Sequence, residues 1–536
     1  IMNHLNTQKS ERMARNSESE PLFENEQLMA SESSCESASI GVVDKGEKIN
    51  PISAFTGYCL TVNYAVGTGV LGLPLAFYEA SIGTSICTLL FVSFCSCIGA
   101  LMLNDVVSRS LALRRAKHCP KEVDGKVVPD YSIPTQVRLD TPSICKQLLG
   151  RKGYIVYEVS VIIYLFSTLW SYAAVVMSSL TSDLPIPGLN KGHDCSNPCG
   201  VFDTGCNEAY YLYAGLFLIT SLIFGFMSLS SQGFVQSLFT VFRFLSLFIM
   251  VCCVAYGMEK QGYAGVGPET SPTTPFIYNP TNFWGFDTLK WGYVVSSCVF
   301  SQVMHHSVPT LIQPVKNKSG KSIKHINYMF MGVFGSTALF YSLVGGICGT
   351  FFGENANSLV TLNWEFWDGL NWMKEQGTGE RPIYISFIVH LIILFPAVAI
   401  ISSAPLNAIT LSNQIEELVP KDKWVSMDSK TKARVKMAIR LSTIVVPIVM
   451  SLFVRCLEVI IEVCGLTGFL ICYLFPPLLE WKARRECKKV FGEGEEANNT
   501  GLGFWAHADP MCIFLWVTGL VCFIFTSISL VSGLME

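Results

Sequence analysis

Apolar runs of about twenty residues or more recur along this chain and leave it few folds to choose from. Eleven of them, at 55–78, 82–107, 154–180, 209–229, 234–258, 290–315, 326–352, 383–413, 437–456, 459–479 and 510–534, are long enough to cross a bilayer. Lipid offers no water to an unpaired backbone amide, so each run is expected to cross as a helix. Half of the 536 residues are hydrophobic and only 15% are charged, with a mean hydropathy of +0.40. That balance excludes a string of soluble domains and predicts one all-α polytopic domain over 50–536, embedded in a lipid bilayer. A net charge of −3 carries no basic excess, so nucleic acid is not an expected partner.

Residues 1–49 differ from the rest. They are rich in Ser and Glu, with nine acidic and five basic residues, and predict a disordered tail able to hold a cytosolic partner. The tail lacks the basic start and apolar core of a signal peptide. With it placed in the cytoplasm, the segments between spans hold thirty Lys and Arg on the inner side against six on the outer. This asymmetry orients the chain with its N-terminus inside; plasma membrane and endolysosomal or vacuolar membrane both remain open. Loop 181–208 then lies outside with Cys195, Cys199 and Cys206, enough for one disulfide of open pairing and one cysteine left over. The other cysteines sit mostly in apolar spans, and no Cys-x-x-Cys pair or Cys/His cluster predicts a metal or cofactor. In loop 353–382, Trp364, Trp367 and Trp372 are expected to rest at the membrane interface, with a lid as the alternative.

Two spans carry sequences that a plain anchor would not. The first reads Asn63-Tyr-Ala-Val-Gly-Thr-Gly-Val-Leu-Gly-Leu-Pro74. Each Gly weakens a helix by about 1 kcal/mol relative to Ala. A break at Gly67-Thr68-Gly69 would expose amides to an anion and carbonyls to a cation. Close packing of small residues is the alternative. The sixth span lapses in apolar character at Ser301-Gln302 and again at His305-His306-Ser307, and Pro309 follows. Ten spans thus divide as five plus five, each half opening on an interrupted helix and the halves running in opposite senses. Such paired interruptions point to a transport site at the membrane midplane. The eighth span adds adjacent hydroxyls, Ser402 and Ser403. They either bond their own helix or join carbonyls freed at the first break, such as that of Val66, around a small cation. Two buried charges, Glu158 and Arg243, are expected to pair with each other.

These residues resemble a known family. Asn63 to Pro74, read as Asn-x-x-Val-Gly-Thr-Gly-Val-Leu-Gly-Leu-Pro, resembles the first-helix motif of the amino acid/auxin permease family. That family holds sodium-coupled neutral, proton-coupled and vacuolar amino acid transporters. His305-His-Ser-Val-Pro309 is similar to its sixth helix. The resemblance covers about residues 50–534 and implies a bacterial leucine transporter-like fold: two inverted repeats, about 55–258 and 290–479, with an eleventh helix at about 510–534. It further implies that amides of Gly67, Thr68 and Gly69 hold a substrate carboxylate. The substrate amine would face carbonyls near Ser297, Phe300 and Ser301. Asn63, with Val66, Ser402 and Ser403, would bind sodium. Sodium-coupled relatives carry a disulfide between the fifth and sixth helices, where this chain has no cysteine in 259–289.

The expectation is therefore a secondary transporter of amino acids working by alternating access, with sodium slightly ahead of the proton as coupling ion. His305 and His306 are the proton-coupling candidates. A nutrient sensor on an endolysosomal membrane, signalling through residues 1–49, is the second reading. An intramembrane acyltransferase using His305 or His390 is the third; no nucleophile–base spacing supports an enzyme.

Overall fold

The computed structural model describes residues 52–118, most of 120–133, 140–184, 186–190, 195, 204–225, 233–261, 283–312, 315, 323–369, 382–494, 500 and 509–535. The tail 1–49, Cys199 and Trp372 lie outside these residues. Helices α1 (Ala54–Ala65), α2 (Gly69–Ala80) and α3 (Ile82–His118) come first, followed by a small antiparallel pair, β1 (Glu122–Val123) with β2 (Lys126–Val127). Next are α4 (Thr141–Asp183), α5 (Thr204–Gly225), α6 (Gly233–Gln261), α7 (Thr288–Phe300) and α8 (Val308–Ile312). Helices α9 (Ile323–Leu343) and α10 (Gly349–Phe352) are joined by a π turn. The chain continues through α11 (Ile383–Leu418), α12 (Lys421–Ser426), α13 (Ser429–Phe453), α14 (Leu457–Phe469), α15 (Phe475–Phe491) and α16 (Asp509–Met535).

Among the described residues eight helical segments are long and apolar enough to cross a membrane, nine when the bent pair α1–α2 counts as one span. The protein is an all-α polytopic membrane protein. Helix is present in each of the eleven expected segments. Two of the segments outside the nine are Thr204–Gly225 and the sixth, which is cut into α7, a 3-10 turn and α8.

Several helices outrun their apolar runs. Helix α3 continues to His118, and α4 begins at Thr141 rather than near 154. Asp140 caps α4, its Oδ1 accepting the Ser143 amide at 3.3 Å, and Pro142 suits the first turn. Hydropathy marks where hydrocarbon ends, whereas the helix goes on wherever capping and packing support it. The lipid face shows in α16, whose Ile513, Val517, Leu520, Ile524, Ile528 and Val531 are all exposed. Their spacing of three or four residues forms one stripe, which bilayer rather than water would cover.

Helices α2 and α7 pack on each other, with α3 and α14 against both and α16 along α7, while α1 packs on α6 and α9. At one end of the bundle lies a buried charge cluster. Arg109 Nε donates to Asp105 Oδ2 at 2.5 Å and faces Glu480 Oε1 at 3.8 Å, with Asp105 and Glu480 fully buried. Arg484 faces Glu480 at 3.5 Å and bonds Asp509, and Thr500 Oγ1 donates to Asp105.

At the other end the interfacial reading of Trp364 and Trp367 is overturned. Trp364 is fully buried and Trp367 nearly so. Trp364 belongs to a 3-10 helix, Val360–Phe366, and meets Phe352 edge-on at 5.6 Å. Segment 353–369 thus folds over α2 and α4, held by Ser182 Oγ donating to Glu365. The segment also packs on α11.

Cys195 pairs with Cys206, closing a loop of separation 11. Cys456, just past the end of α13, is also disulfide-bonded. The sequence places Cys456 at the end of a span, so the disulfide-bonded cysteines are not confined to loop 181–208. Replacing Cys206 with Ser is expected to destabilise this end by about 3 kcal/mol through regained loop entropy. Thermal unfolding of variant and parent in detergent checks it.

Candidate functional site

The site is built where two helices stop inside the bundle. Helices α1 and α2 meet at 55°. Between them Val66 leaves the helical region, at φ −80°, ψ 80°. The Gly67 amide closes a tight turn on the Ala65 carbonyl at 2.9 Å. It is therefore not one of the free donors, contrary to the expectation for Gly67. The free set is shifted by one residue: among the described residues no acceptor meets the amides of Thr68, Gly69 and Val70, which open α2. Thr68 Oγ1 shares a hydrogen bond of 2.5 Å with Ser171 Oγ on α4.

The second break faces the first. Helix α7 ends at Phe300, and Ser301 caps it, its amide and Oγ both bonding the Ser297 carbonyl. The Ser301 carbonyl accepts the Tyr341 hydroxyl at 3.1 Å. Of the three expected carbonyls, that of Phe300 alone has no donor among the described residues. Ser297 Oγ is buried without a partner. The two breaks touch at Gly69, where an added Cβ would lie 2.6 Å from Ser301 Oγ, 2.9 Å from Ser301 N and 3.0 Å from Phe300 Cδ1. Only a residue without a side chain lets these backbones meet.

The oxygens expected around a sodium ion hold something else. Arg243 of α6 reaches the first break. Its Nη1 donates to the carbonyls of Asn63 at 3.1 Å and Val66 at 2.5 Å, and its Nη2 to the Ala399 carbonyl of α11 at 3.0 Å. Asn63 Oδ1 accepts Thr240 Oγ1 at 3.1 Å. Ser403 donates back to Ala399 and Ile400 of its own helix; Ser402 lies on α11, its side chain outside the described part. The expected pairing of Arg243 with Glu158 is corrected: three carbonyls take the guanidinium, and Glu158 faces the Gln414 amide. Val66, Gly67, Thr68, Tyr172, Arg243 and Ser403 line a cavity of about 20 Å³, room for roughly one water and not for an amino acid. The site is closed.

The histidines separate. His305 is buried, Nε2 donating to the Ser96 carbonyl at 2.8 Å and Nδ1 accepting from Cys472 Sγ at 3.0 Å. His306 lies against Tyr64 and Tyr164, with ring centroids 6.4 and 5.5 Å apart, and neither of its nitrogens has a partner. Sequence reasoning missed Arg243 as part of the site, together with Tyr172, Ser171 and Tyr341. A lone arginine in the fifth span was the available signal, but it was assigned to the wrong acceptor.

A family model described as transmembrane amino acid transporter protein matches residues 50–531. The chain belongs to this family. It is a membrane transport protein, and among the described residues no group of three or more His, Cys, Asp or Glu is placed to hold a metal. Transmembrane protein 104 of Gallus gallus is 23% identical, over 92% of this chain and 98% of that one. The Drosophila melanogaster homolog of transmembrane protein 104 is 23% identical, over 92% and 99%. Among solved structures, a manganese transporter of Eremococcus coleocola covers 89% of this chain at 12% identity and a TM-score of 0.45, a likeness too slight to carry an argument.

Proposed function

We propose that this transporter moves amino acids across the membrane by alternating access, coupled to a cation gradient. The observation that carries the reading is the meeting of two broken helices at Gly69 and Ser301, with free amides on one side and the free Phe300 carbonyl on the other. An amino acid is a zwitterion, and this pair of helix ends suits it. The amides of Thr68, Gly69 and Val70 take the carboxylate at a positive helix N-terminus. Phe300, with Ser297 Oγ, takes the ammonium. Eleven spans in a five-plus-five inverted repeat with an appended helix account for the two breaks at matching places. In this reading repeat one spans about 55–258 and repeat two about 290–479, with the N-terminus in the cytoplasm.

The closed cavity fits an occluded resting form that must open to load. Purified protein in liposomes, offered a panel of labelled amino acids under imposed sodium and then proton gradients, tests the proposal. Accumulation of at least one amino acid against an empty-liposome control is expected. No accumulation of any member under either gradient defeats it.

A further inference from the structure

We propose that Arg243 is a resident cation: its guanidinium permanently fills the oxygen cage between the first break and α11, so the transporter works without a sodium ion at that place. This inference rests on the transport reading of the broken helices.

Three observations carry it. The Val66 carbonyl, one of the oxygens expected around a small cation, accepts from Arg243 instead, together with the neighbouring carbonyls of Asn63 and Ala399. Arg243 is 2% exposed, so the charge is taken out of water as a bound metal ion would be. Among the described residues no carboxylate lies within ion-pair distance of it, so the helix-break carbonyls are its electrostatic partners. A tethered guanidinium also does what a bound cation does mechanically, since one charge ties α1 to α11 through the break. It differs in that it cannot dissociate and cannot lose its proton. Movement along a sodium gradient therefore cannot pass through this cage. The same charge leaves the closed site one anion short. Its Nε has no partner and the group lines the cavity with Gly67 and Thr68, so a carboxylate arriving at the Thr68–Val70 amides supplies the missing charge.

The test reads sodium binding without requiring transport. Full-length protein is melted in detergent at increasing sodium chloride, with choline chloride holding ionic strength constant, for the parent, Arg243→Ala and Arg243→Lys. The parent and Arg243→Lys are expected to show no sodium-specific shift. Arg243→Ala, with the cage emptied, is expected to gain a saturable rise in Tm of about 2 °C or more. A saturable sodium-specific shift in the parent overturns the proposal, as does an Arg243→Ala curve indistinguishable from that of Arg243→Lys. The parent measurement stands even where Arg243→Ala fails to fold. Failure of every amino acid to accumulate in liposomes would remove the transport reading and leave the sodium curves to be judged on their own.

Discussion

Gly69→Leu protein is expected to transport at about one hundredth of the parent rate or less, as misplacing a reacting or binding geometry by an ångström commonly does. The first added carbon already falls 2.6 Å from Ser301 Oγ and 2.9 Å from Ser301 N, and the second contact is backbone that cannot swing aside. Larger atoms must push α2 away from α7, and the free amides then no longer face Phe300. Gly67→Ala is the informative control. Its Cβ would meet only Tyr172, at 3.7 Å, an ordinary contact, and Gly67 does not have a left-handed backbone. Uptake by Gly67→Ala within about twofold of the parent is expected. Initial uptake rates, normalised to protein reconstituted, measure both. Equal loss in the two variants would show that flexibility of the glycines, and not close approach at Gly69, is what the site needs.

Arg109→Met is expected to lower stability by about 3–5 kcal/mol, because it removes the cation common to two buried carboxylates and leaves only Arg484, at 3.5 Å from Glu480, to offset them. Asp105 and Glu480 are fully enclosed, and Arg109 bridges them. The readout is the monodisperse fraction and Tm in detergent. Replacing all three of Arg109, Asp105 and Glu480 with apolar residues of similar volume is expected to recover much of the loss, since the penalty comes from unpaired charge and not from missing volume. A single variant as stable as the parent would show that the cluster is solvated.

The breaks were legible because lipid makes them legible. Gly67, Gly69 and Pro74 in one apolar run, and Ser301, Gln302 and the histidines in another, are costly in hydrocarbon unless something satisfies the backbone. The family resemblance rested on the same residues. What satisfies the backbone was not legible. A carbonyl is present in every residue, so nothing in the sequence marks those of Asn63, Val66 and Ala399 as acceptors for Arg243. Gln302 donating to Ser93, and Thr68 sharing a proton with Ser171, join residues far apart in sequence; no local pattern announces them. Trp364 and Trp367 were misread for a related reason. An aromatic residue beside a span fits the interface rule equally well whether it faces headgroups or turns inward under its own loop. The expected amide at Gly67 failed on a single tight turn, a detail below the reach of composition.

The cover formed by residues 353–369 bears on how strongly any cargo can be held. If the protein works by alternating access as proposed, admitting a solute from the disulfide-bearing side would require the segment to lift and Trp364 to leave its packing against Phe352. Baring one such ring costs about 2 kcal/mol or more. A gate with that threshold stands ajar on the order of a few per cent of the time, and apparent affinity from that side is diluted by the same fraction. Trimming Trp364 would then make the carrier look hungrier for its substrate without touching a single atom that binds it.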